Sequence, residues 1–144
     1  MYYVTRRYGF AASHRLHAPQ LSAGENARLY GKCNNPYGHG HNYVVEVSVR
    51  GPADERTGRA VDIGVLDDLV RREVLAPFDH CNLNAEIGAF QGVVPTSENL
   101  AIEICRRLKG NWSAAFGVEW PRLHNIRIAE TDRNIFEVKA DEIE

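Results

Sequence analysis

The segment from Cys33 to Tyr43 constrains the fold more than any other part of the chain, because it combines a thiol, two imidazoles, a proline and two glycines. The residues that follow, as far as Arg50, alternate between apolar and more polar side chains, which is typical of a half-buried β-strand. If this strand already includes His39 and His41, both imidazoles lie on one face of the sheet. Imidazole is a common zinc ligand, and a catalytic zinc has three protein ligands and an open position. The segment therefore predicts a metal site, with Cys33 as a fourth ligand or as a separate reactive group.

The same segment has a simpler interpretation, as a turn that leads into a strand and carries surface histidines. With six histidines in 144 residues, the expected number of chance His-x-His pairs is about 0.25 per chain. The pair alone is therefore a weak signal. The nearby cysteine, the flanking glycines and the strand pattern are what favour a metal site.

The composition is that of one globular domain, 1–144, with 44% hydrophobic and 25% charged residues. The formal net charge of -2 gives no electrostatic reason to expect binding to nucleic acid or to an anionic membrane. We expect no membrane span and no secretory signal, because the sequence lacks apolar runs of the required length. The three cysteines, Cys33, Cys81 and Cys105, do not resemble a disulfide framework, which favours a reducing, cytoplasmic location.

Alternating apolar residues predict four strands. The first strand covers residues 2–13 and carries His14 near its end. Residues 18–32 contain several turn-forming residues, so we expect a long, mostly irregular connection there. A loop is predicted over 78–84. The other predicted strands are residues 41–50 and the two arms of a hairpin, 124–130 and 135–139.

Two amphipathic helices are predicted between the second and third strands. Asp62 is the expected N-cap of the first helix, and Pro77 ends it. The second helix is expected to start at Thr96 or Ser97 and to stop at Gly110. This order of elements predicts an α+β domain, in which a four-stranded antiparallel sheet has helices over one face. Both edges of such a sheet are open in a single chain, so we expect a homo-oligomer that pairs them.

Five further residues carry ionisable groups whose roles the local sequence leaves open. His14 and His17 are either metal ligands or loop histidines at the surface. The adjacent Asp79 and His80 suit acid/base chemistry, although Asp79 could instead cap a turn. Glu130 shares the parity of two isoleucines in the hairpin, where it either needs a partner or lies past the sheet edge in solvent.

Six short motifs extend over nearly the whole chain. They are Ala12-Ser13-His14-Arg15-Leu16, Gly31-Lys32-Cys33-Asn34-Asn35-Pro36, Gly38-His39-Gly40-His41-Asn42-Tyr43, Asp79-His80, Thr96-Ser97-Glu98-Asn99 and Glu130-Thr131-Asp132. In order and spacing this set resembles the 6-pyruvoyl-tetrahydropterin synthase family. The similar 6-carboxy-tetrahydropterin synthases typically have a shorter gap between the cysteine and His-Gly-His. The five residues between Cys33 and His39 therefore favour the pyruvoyl type.

The resemblance implies the tunnelling fold, in which three subunits close their four-stranded sheets into one barrel and two barrels stack as a hexamer. It also implies a zinc ion held by His14, His39 and His41. Cys33 would be a base beside this metal.

The resemblance further implies that Asp79 and His80 complete a proton relay that a neighbouring subunit supplies. Glu130 would anchor the pterin. The residues implied to line the pterin pocket are Thr96, Ser97 and Glu98.

The implied substrate is 7,8-dihydroneopterin triphosphate, from which a lyase of tetrahydrobiopterin biosynthesis expels triphosphate to give 6-pyruvoyl-tetrahydropterin. Hydrogens move within the substrate, so no external redox cofactor is expected. One alternative is the 6-carboxy-tetrahydropterin synthase reaction of queuosine biosynthesis. Another is a non-catalytic zinc- or pterin-binding module on the same fold. The triphosphate requires cations, for which Arg15, Arg28 and Lys32 are the candidates.

Overall fold

The computed structural model describes residues 1–144, which form one mixed sheet with helices over one face. The strands are β1 (Tyr2–His14), β2 (His39–Gly51), β3 (Cys81–Asn82), β4 (Arg122–Ala129) and β5 (Ile135–Lys139). The main helices are α1 (Ala23–Tyr30), α2 (Ile63–Val70) and α3 (Ser97–Phe116), and Leu83–Glu86 forms a single α-helical turn. The sheet order is β3-β1-β2-β4-β5, and all neighbours are antiparallel except β3, which runs parallel to β1. The predicted α+β class is therefore confirmed.

The sheet has one strand more than predicted. The additional strand, β3, consists of two residues within the segment 78–84, which was expected to be a loop. Its residues pair with Ala12 and Ser13 of β1. A two-residue strand has no periodicity of its own, so only its tertiary partner reveals it.

The helices α2 and α3 begin where the sequence predicts. The Asp62 side chain accepts a hydrogen bond from the backbone N–H of Val65, and Thr96 accepts one from the N–H of Asn99. After Val70 the first of these helices continues through a π-helical turn (Arg71–Leu75) into a last turn (Ala76–Phe78). Pro77 lies inside this last turn, so the helix does not end at the proline as predicted but one residue after it, at Phe78.

Two other predictions about helices were wrong. Residues 18–32 are not mostly irregular, because α1 occupies Ala23–Tyr30, and Ser22 and Glu25 form a reciprocal capping box at its start. Gly110 does not end α3, which continues to Phe116 and stops before Gly117. Trp112 explains the longer helix, because its ring is buried and its indole N–H donates to the carbonyl oxygen of Pro121. This packing outweighs the cost of a glycine inside a helix, roughly 1 kcal/mol.

The core lies between the sheet and the two longer helices. Alternate side chains of β2 and β4 form the sheet side of the core, and the apolar faces of α2 and α3 pack against them. The fully buried members include Val45, Val47, Ile126, Ile128, Leu66, Leu69, Leu100, Ile104 and Leu108. No helix in the structure combines the length and the apolar character that crossing a membrane requires.

Candidate functional site

The pairing of β1 with β2 brings three histidines to one end of the core face of the sheet. His14 lies directly opposite His39 in the register, and Ala12 lies opposite His41. The ring centroids of His14 and His41 are 4.9 Å apart, and those of His39 and His41 are 4.8 Å apart. Zinc–nitrogen bonds at tetrahedral angles would put the centroids of two ligating imidazoles roughly 5 Å apart. The rings within each of these two pairs are therefore close enough to bind one ion.

His14 is the most buried of these histidines, with 1% of its surface exposed. Its Nδ1 lies 2.9 Å from the carbonyl oxygen of Pro95 and 3.2 Å from the hydroxyl of Tyr43. A carbonyl only accepts hydrogen bonds, so the proton is on Nδ1 and the lone pair is on Nε2. That Nε2 is buried and has no hydrogen-bond partner. An unpaired buried lone pair whose ring is fixed from the other side is what a metal ligand requires.

Cys33 joins the same cluster. One potential ligand atom from each of His14, Cys33 and His41 lies within 4.8 Å of the other two. The predicted ligand His39 is not in this group, and it adjoins the group through the ring of His41. The Cys33 Sγ is 3.6 Å from Nε2 of His41. The donor set of imidazole nitrogens and a thiol suits zinc. His17 is not part of this cluster, because its Nδ1 instead lies 3.2 Å from the side-chain amide of Asn34.

The backbone on both sides of Cys33 is held against the end of β1. Leu16 N–H donates to the carbonyl oxygen of Cys33 at 2.7 Å. Gly38 has a φ of 85°, and a Cβ added there would lie 3.1 Å from the carbonyl oxygen of His14. A glycine is therefore required for both its conformation and its lack of a side chain. Together these contacts fix the thiol beside the imidazoles.

Burial sets the protonation of the cluster. Burial lowers the pKa of His14 and of His41, which keeps both rings neutral and able to act as ligands. Burial, together with the negative charge of Glu130, raises the pKa of the Cys33 thiol. A nearby cation has the opposite effect on a thiol, because it stabilises the thiolate.

Glu130 lies just past the end of β4 and is not solvated, since only 13% of its side chain is exposed. One carboxylate oxygen accepts a hydrogen bond of 2.7 Å from the hydroxyl of Ser97. The other lies 3.9 Å from Nε2 of His41. A largely buried carboxylate with one oxygen still available for hydrogen bonds therefore borders the histidine cluster.

Asp79 and His80 lie in contact with each other directly before the edge strand β3. One Asp79 oxygen accepts from the N–H of Ala11 at 2.9 Å, and the other is 3.1 Å from Nδ1 of His80. The Ala11 hydrogen bond is the main reason why the pKa of Asp79 is below its ordinary value. His80 has a φ of 58°, and its side chain is 83% exposed. The pair therefore faces solvent, while the histidine cluster is buried.

The three predicted pocket residues at the start of α3 differ in what they contact. Thr96 is the N-cap, so its hydroxyl is occupied by the N–H of Asn99. Ser97 is 2% exposed and binds Glu130. Glu98 is exposed in the first turn. Of the three, Ser97 is the one that touches the site.

The sequence model of the family described as 6-pyruvoyl tetrahydropterin synthase matches residues 3–141. The chain belongs to this family. The 6-pyruvoyl tetrahydrobiopterin synthase of Poecilia reticulata is 47% identical over 133 residues, which cover 92% of this chain and 86% of that protein. The Homo sapiens 6-pyruvoyl tetrahydrobiopterin synthase is 41% identical over 138 residues, covering 96% and 91%. A solved structure of Caenorhabditis elegans 6-pyruvoyl tetrahydropterin synthase matches with a TM-score of 0.86 at 40% identity, covering 96% of this chain and 94% of that one.

In this member of the 6-pyruvoyl tetrahydropterin synthase family, the sequence did not point to Tyr43 or Pro95, the two groups that hold His14. Tyr43 had a usable signal, because it shares the strand parity of His39 and His41. Pro95 had none, since a backbone carbonyl from a distant loop leaves no mark in the residue pattern.

Proposed function

We propose that the chain is a zinc-dependent lyase that converts 7,8-dihydroneopterin triphosphate to 6-pyruvoyl-tetrahydropterin with release of triphosphate. Its relatives named 6-pyruvoyl tetrahydrobiopterin synthase support this activity. The observation that carries the proposal is the contact between two groups in the site. A cluster of imidazoles and a thiol that could bind a metal ion borders the Glu130 carboxylate, which has one oxygen free to accept hydrogen bonds from a ligand.

The residues that would hold zinc are His14, His39 and His41, with Cys33 beside them. The buried, unpaired Nε2 of His14 and the spacing of the rings support this set. When bound, zinc would supply Lewis-acid chemistry, by orienting the side-chain hydroxyls of the substrate, lowering their pKa and stabilising negative charge that develops next to them.

Cys33 is the proposed base. Its Sγ lies 3.6 Å from Nε2 of His41, and the residue is only partly buried, which leaves it within reach of a substrate side chain bound beside the imidazoles. A thiolate can remove a proton from a carbon next to a polarised hydroxyl, and the thiol that results holds that proton for return to the substrate. This transfer within the substrate requires no external redox cofactor.

Glu130 is the proposed pterin anchor. The 2-amino group and N3–H of a pterin form a guanidinium-like edge, to which a carboxylate can bind with two parallel hydrogen bonds. The Ser97 hydroxyl holds one oxygen from behind. Since Glu130 also borders His41, a pterin bound there would have its side chain next to the metal ligands.

Asp79 and His80 are the proposed relay, supplied to a neighbouring subunit. Asp79 holds the Nδ1–H of His80, which leaves Nε2 free to exchange protons. The exposure of His80 in a single chain supports a role across an interface. The two strands at the sheet edges, β3 and β5, each have one unpaired side. We infer that subunits pair them to close a barrel, as in the homohexamer that the family resemblance implies.

The test is to incubate the zinc-loaded protein with 7,8-dihydroneopterin triphosphate and to measure both free triphosphate and the pterin product. The expected products are triphosphate and 6-pyruvoyl-tetrahydropterin. A 6-carboxy pterin with acetaldehyde would assign the chain to the other branch, and no triphosphate release would leave a non-catalytic binding module. Cys33→Ala is expected to abolish turnover while zinc stays bound to the histidines. Full activity in that variant would remove Cys33 from the mechanism.

A further inference from the structure

Arg15 directly follows the buried His14, and its backbone is fixed at two points. The Asn84 side chain accepts a hydrogen bond of 2.7 Å from the N–H of Arg15 and donates one of 2.9 Å to its carbonyl oxygen. The Asn84 side-chain amide thus bonds both backbone groups of Arg15, as a residue of a neighbouring antiparallel strand would. Gln91 in turn donates to the carbonyl oxygen of Asn84 at 3.1 Å, which secures the residue that makes the contact.

The side chain of Arg15 is held beside Cys33. Its Nε donates weakly, at 3.4 Å, to the carbonyl oxygen of Asn34, the residue after Cys33. The side-chain amide of Asn34 donates at 2.7 Å to the carbonyl oxygen of Leu16, which closes the arrangement from the other side. The guanidinium therefore lies at the rim of the proposed active site.

The charge of Arg15 has no neutralising partner in the chain. The residue is half-buried, no carboxylate lies within ion-pair distance of it, and its two terminal NH2 groups have no protein partner. The other two candidate cations, Arg28 and Lys32, are exposed and have no hydrogen bonds that orient their charged groups. A guanidinium with a fixed backbone, no neutralising carboxylate and free terminal donors is suited to bind an anion.

We propose that Arg15 binds the triphosphate of the substrate and that Asn84 is its positioning residue, an inference that rests on the proposed function. The triphosphate is attached to the end of the three-carbon side chain whose hydroxyls would meet the metal. The anion must therefore lie close to the histidine cluster. A guanidinium fits phosphate oxygens with two parallel hydrogen bonds, which an ammonium group cannot match.

The experiment measures two equilibrium affinities separately by calorimetry on the zinc-loaded protein, for inorganic triphosphate and for 7,8-dihydroneopterin without phosphate. In Arg15→Gln, the affinity for triphosphate should fall roughly 10- to 100-fold, the range expected for charge-assisted hydrogen bonds. The affinity for dihydroneopterin should be unchanged, which also demonstrates that the variant is folded. Arg15→Lys should fall between the wild type and Arg15→Gln.

Asn84→Ala separates positioning from direct binding. Alone, it should weaken triphosphate binding by a smaller factor than Arg15→Gln. In the Arg15→Gln background it should have no further effect, because it acts through the guanidinium. Arg28→Gln and Lys32→Gln remove the same charge from side chains that no hydrogen bond orients. They should lower the affinity for triphosphate much less than Arg15→Gln does.

The results that would overturn the role of Arg15 differ from the result that would overturn the proposed function. If the wild type binds dihydroneopterin but Arg15→Gln binds triphosphate as well as the wild type does, or if Lys32→Gln has the larger effect, Arg15 is not the phosphate site. Dihydroneopterin binding without any affinity for triphosphate would overturn the inference as well. If the wild type binds neither ligand, the proposed function itself fails.

Discussion

Glu130 and Ser97 form a pair in which a hydroxyl fixes one oxygen of a carboxylate and leaves the other available. We predict that Glu130→Gln lowers the affinity for 7,8-dihydroneopterin by roughly 10- to 100-fold, because the amide loses the charge and one of the two acceptor oxygens. Ser97→Ala should lower it only a few-fold, since the carboxylate remains but is less fixed. Calorimetry with the zinc-loaded protein measures both effects.

Glu55→Gln is the charge-matched control, because its exposed carboxylate lies outside the predicted site and has no hydrogen bond or ion pair. Its affinity for dihydroneopterin should equal that of the wild type. Zinc content should be the same in all three variants. An unchanged affinity in Glu130→Gln would show that the pterin is anchored elsewhere.

Tyr43 acts on the metal through His14, because its hydroxyl lies 3.2 Å from Nδ1 of that ring. We predict that Tyr43→Phe weakens zinc binding by about tenfold, at the lower end of the range for groups that orient a metal ligand. The smaller value is expected because the carbonyl of Pro95 still accepts from the same nitrogen. Competition with a chelator of known affinity measures the change.

Tyr8→Phe is the comparison for this substitution. The Tyr8 hydroxyl also makes a hydrogen bond, but it donates to Asp67 on α2. We therefore expect its zinc affinity to match that of the wild type. If Tyr43→Phe binds zinc as tightly as Tyr8→Phe does, the hydroxyl of Tyr43 has no part in orienting His14.

At the scale of the elements, Gly110 lies inside α3, where the sequence suggested an end. A Cβ added there would meet no atom within 4 Å, and the residue is exposed. Gly110→Ala should therefore raise the free energy of unfolding by roughly 0.5–1 kcal/mol through helix propensity alone. Urea unfolding followed by circular dichroism measures this change.

Gly117→Ala is the opposing control, because Gly117 has a φ of 86° at the end of the same helix. An alanine in that conformation is strained, so the variant should lose about 1 kcal/mol. If Gly110→Ala destabilises the protein instead, the helix does not extend past Gly110 in solution.

The sequence predicted those elements that carry their own local signal. Asp62 and Thr96 were recognisable as N-caps, and the alternation after Tyr43 indicated that His41 lies on the core face of a strand. The Ser22 and Glu25 capping box was also a local signal, although the proline and the two glycines around it suggested a loop.

The remaining features depend on contacts between distant residues, which a single sequence does not contain. The extension of α3 depends on the burial of Trp112 and its hydrogen bond to the carbonyl oxygen of Pro121, and β3 exists because β1 is beside it. In the site, the sequence motifs predicted that the three histidines and Cys33 belong to one site. The hydrogen bond from Ser97 to Glu130 joins the start of α3 to the end of β4, and no local pattern encodes that contact.

At the scale of the whole molecule, the exposed position of His80 bears on whether two subunits share one active site. Its side chain faces solvent, whereas Cys33 belongs to the buried cluster of the same chain. If each active site takes its thiol from one subunit and its relay from the next, Cys33→Ala and His80→Ala damage different halves of a shared site. We predict that each variant alone is inactive or strongly impaired, and that mixed oligomers of the two regain activity.

The size of the recovery follows from the symmetry of the assembly. In oligomers refolded from equal amounts of both variants, a site is intact when its thiol comes from a His80→Ala subunit and its relay from a Cys33→Ala subunit, which holds for about one quarter of the sites. Triphosphate release should therefore approach one quarter of the wild-type rate. A mixture of Cys33→Ala with the double variant Cys33→Ala/His80→Ala has no intact thiol and should stay inactive. Were the relay to act within its own chain, no mixed oligomer would contain a complete site, and the absence of recovery in properly assembled hybrids would rule out the shared arrangement.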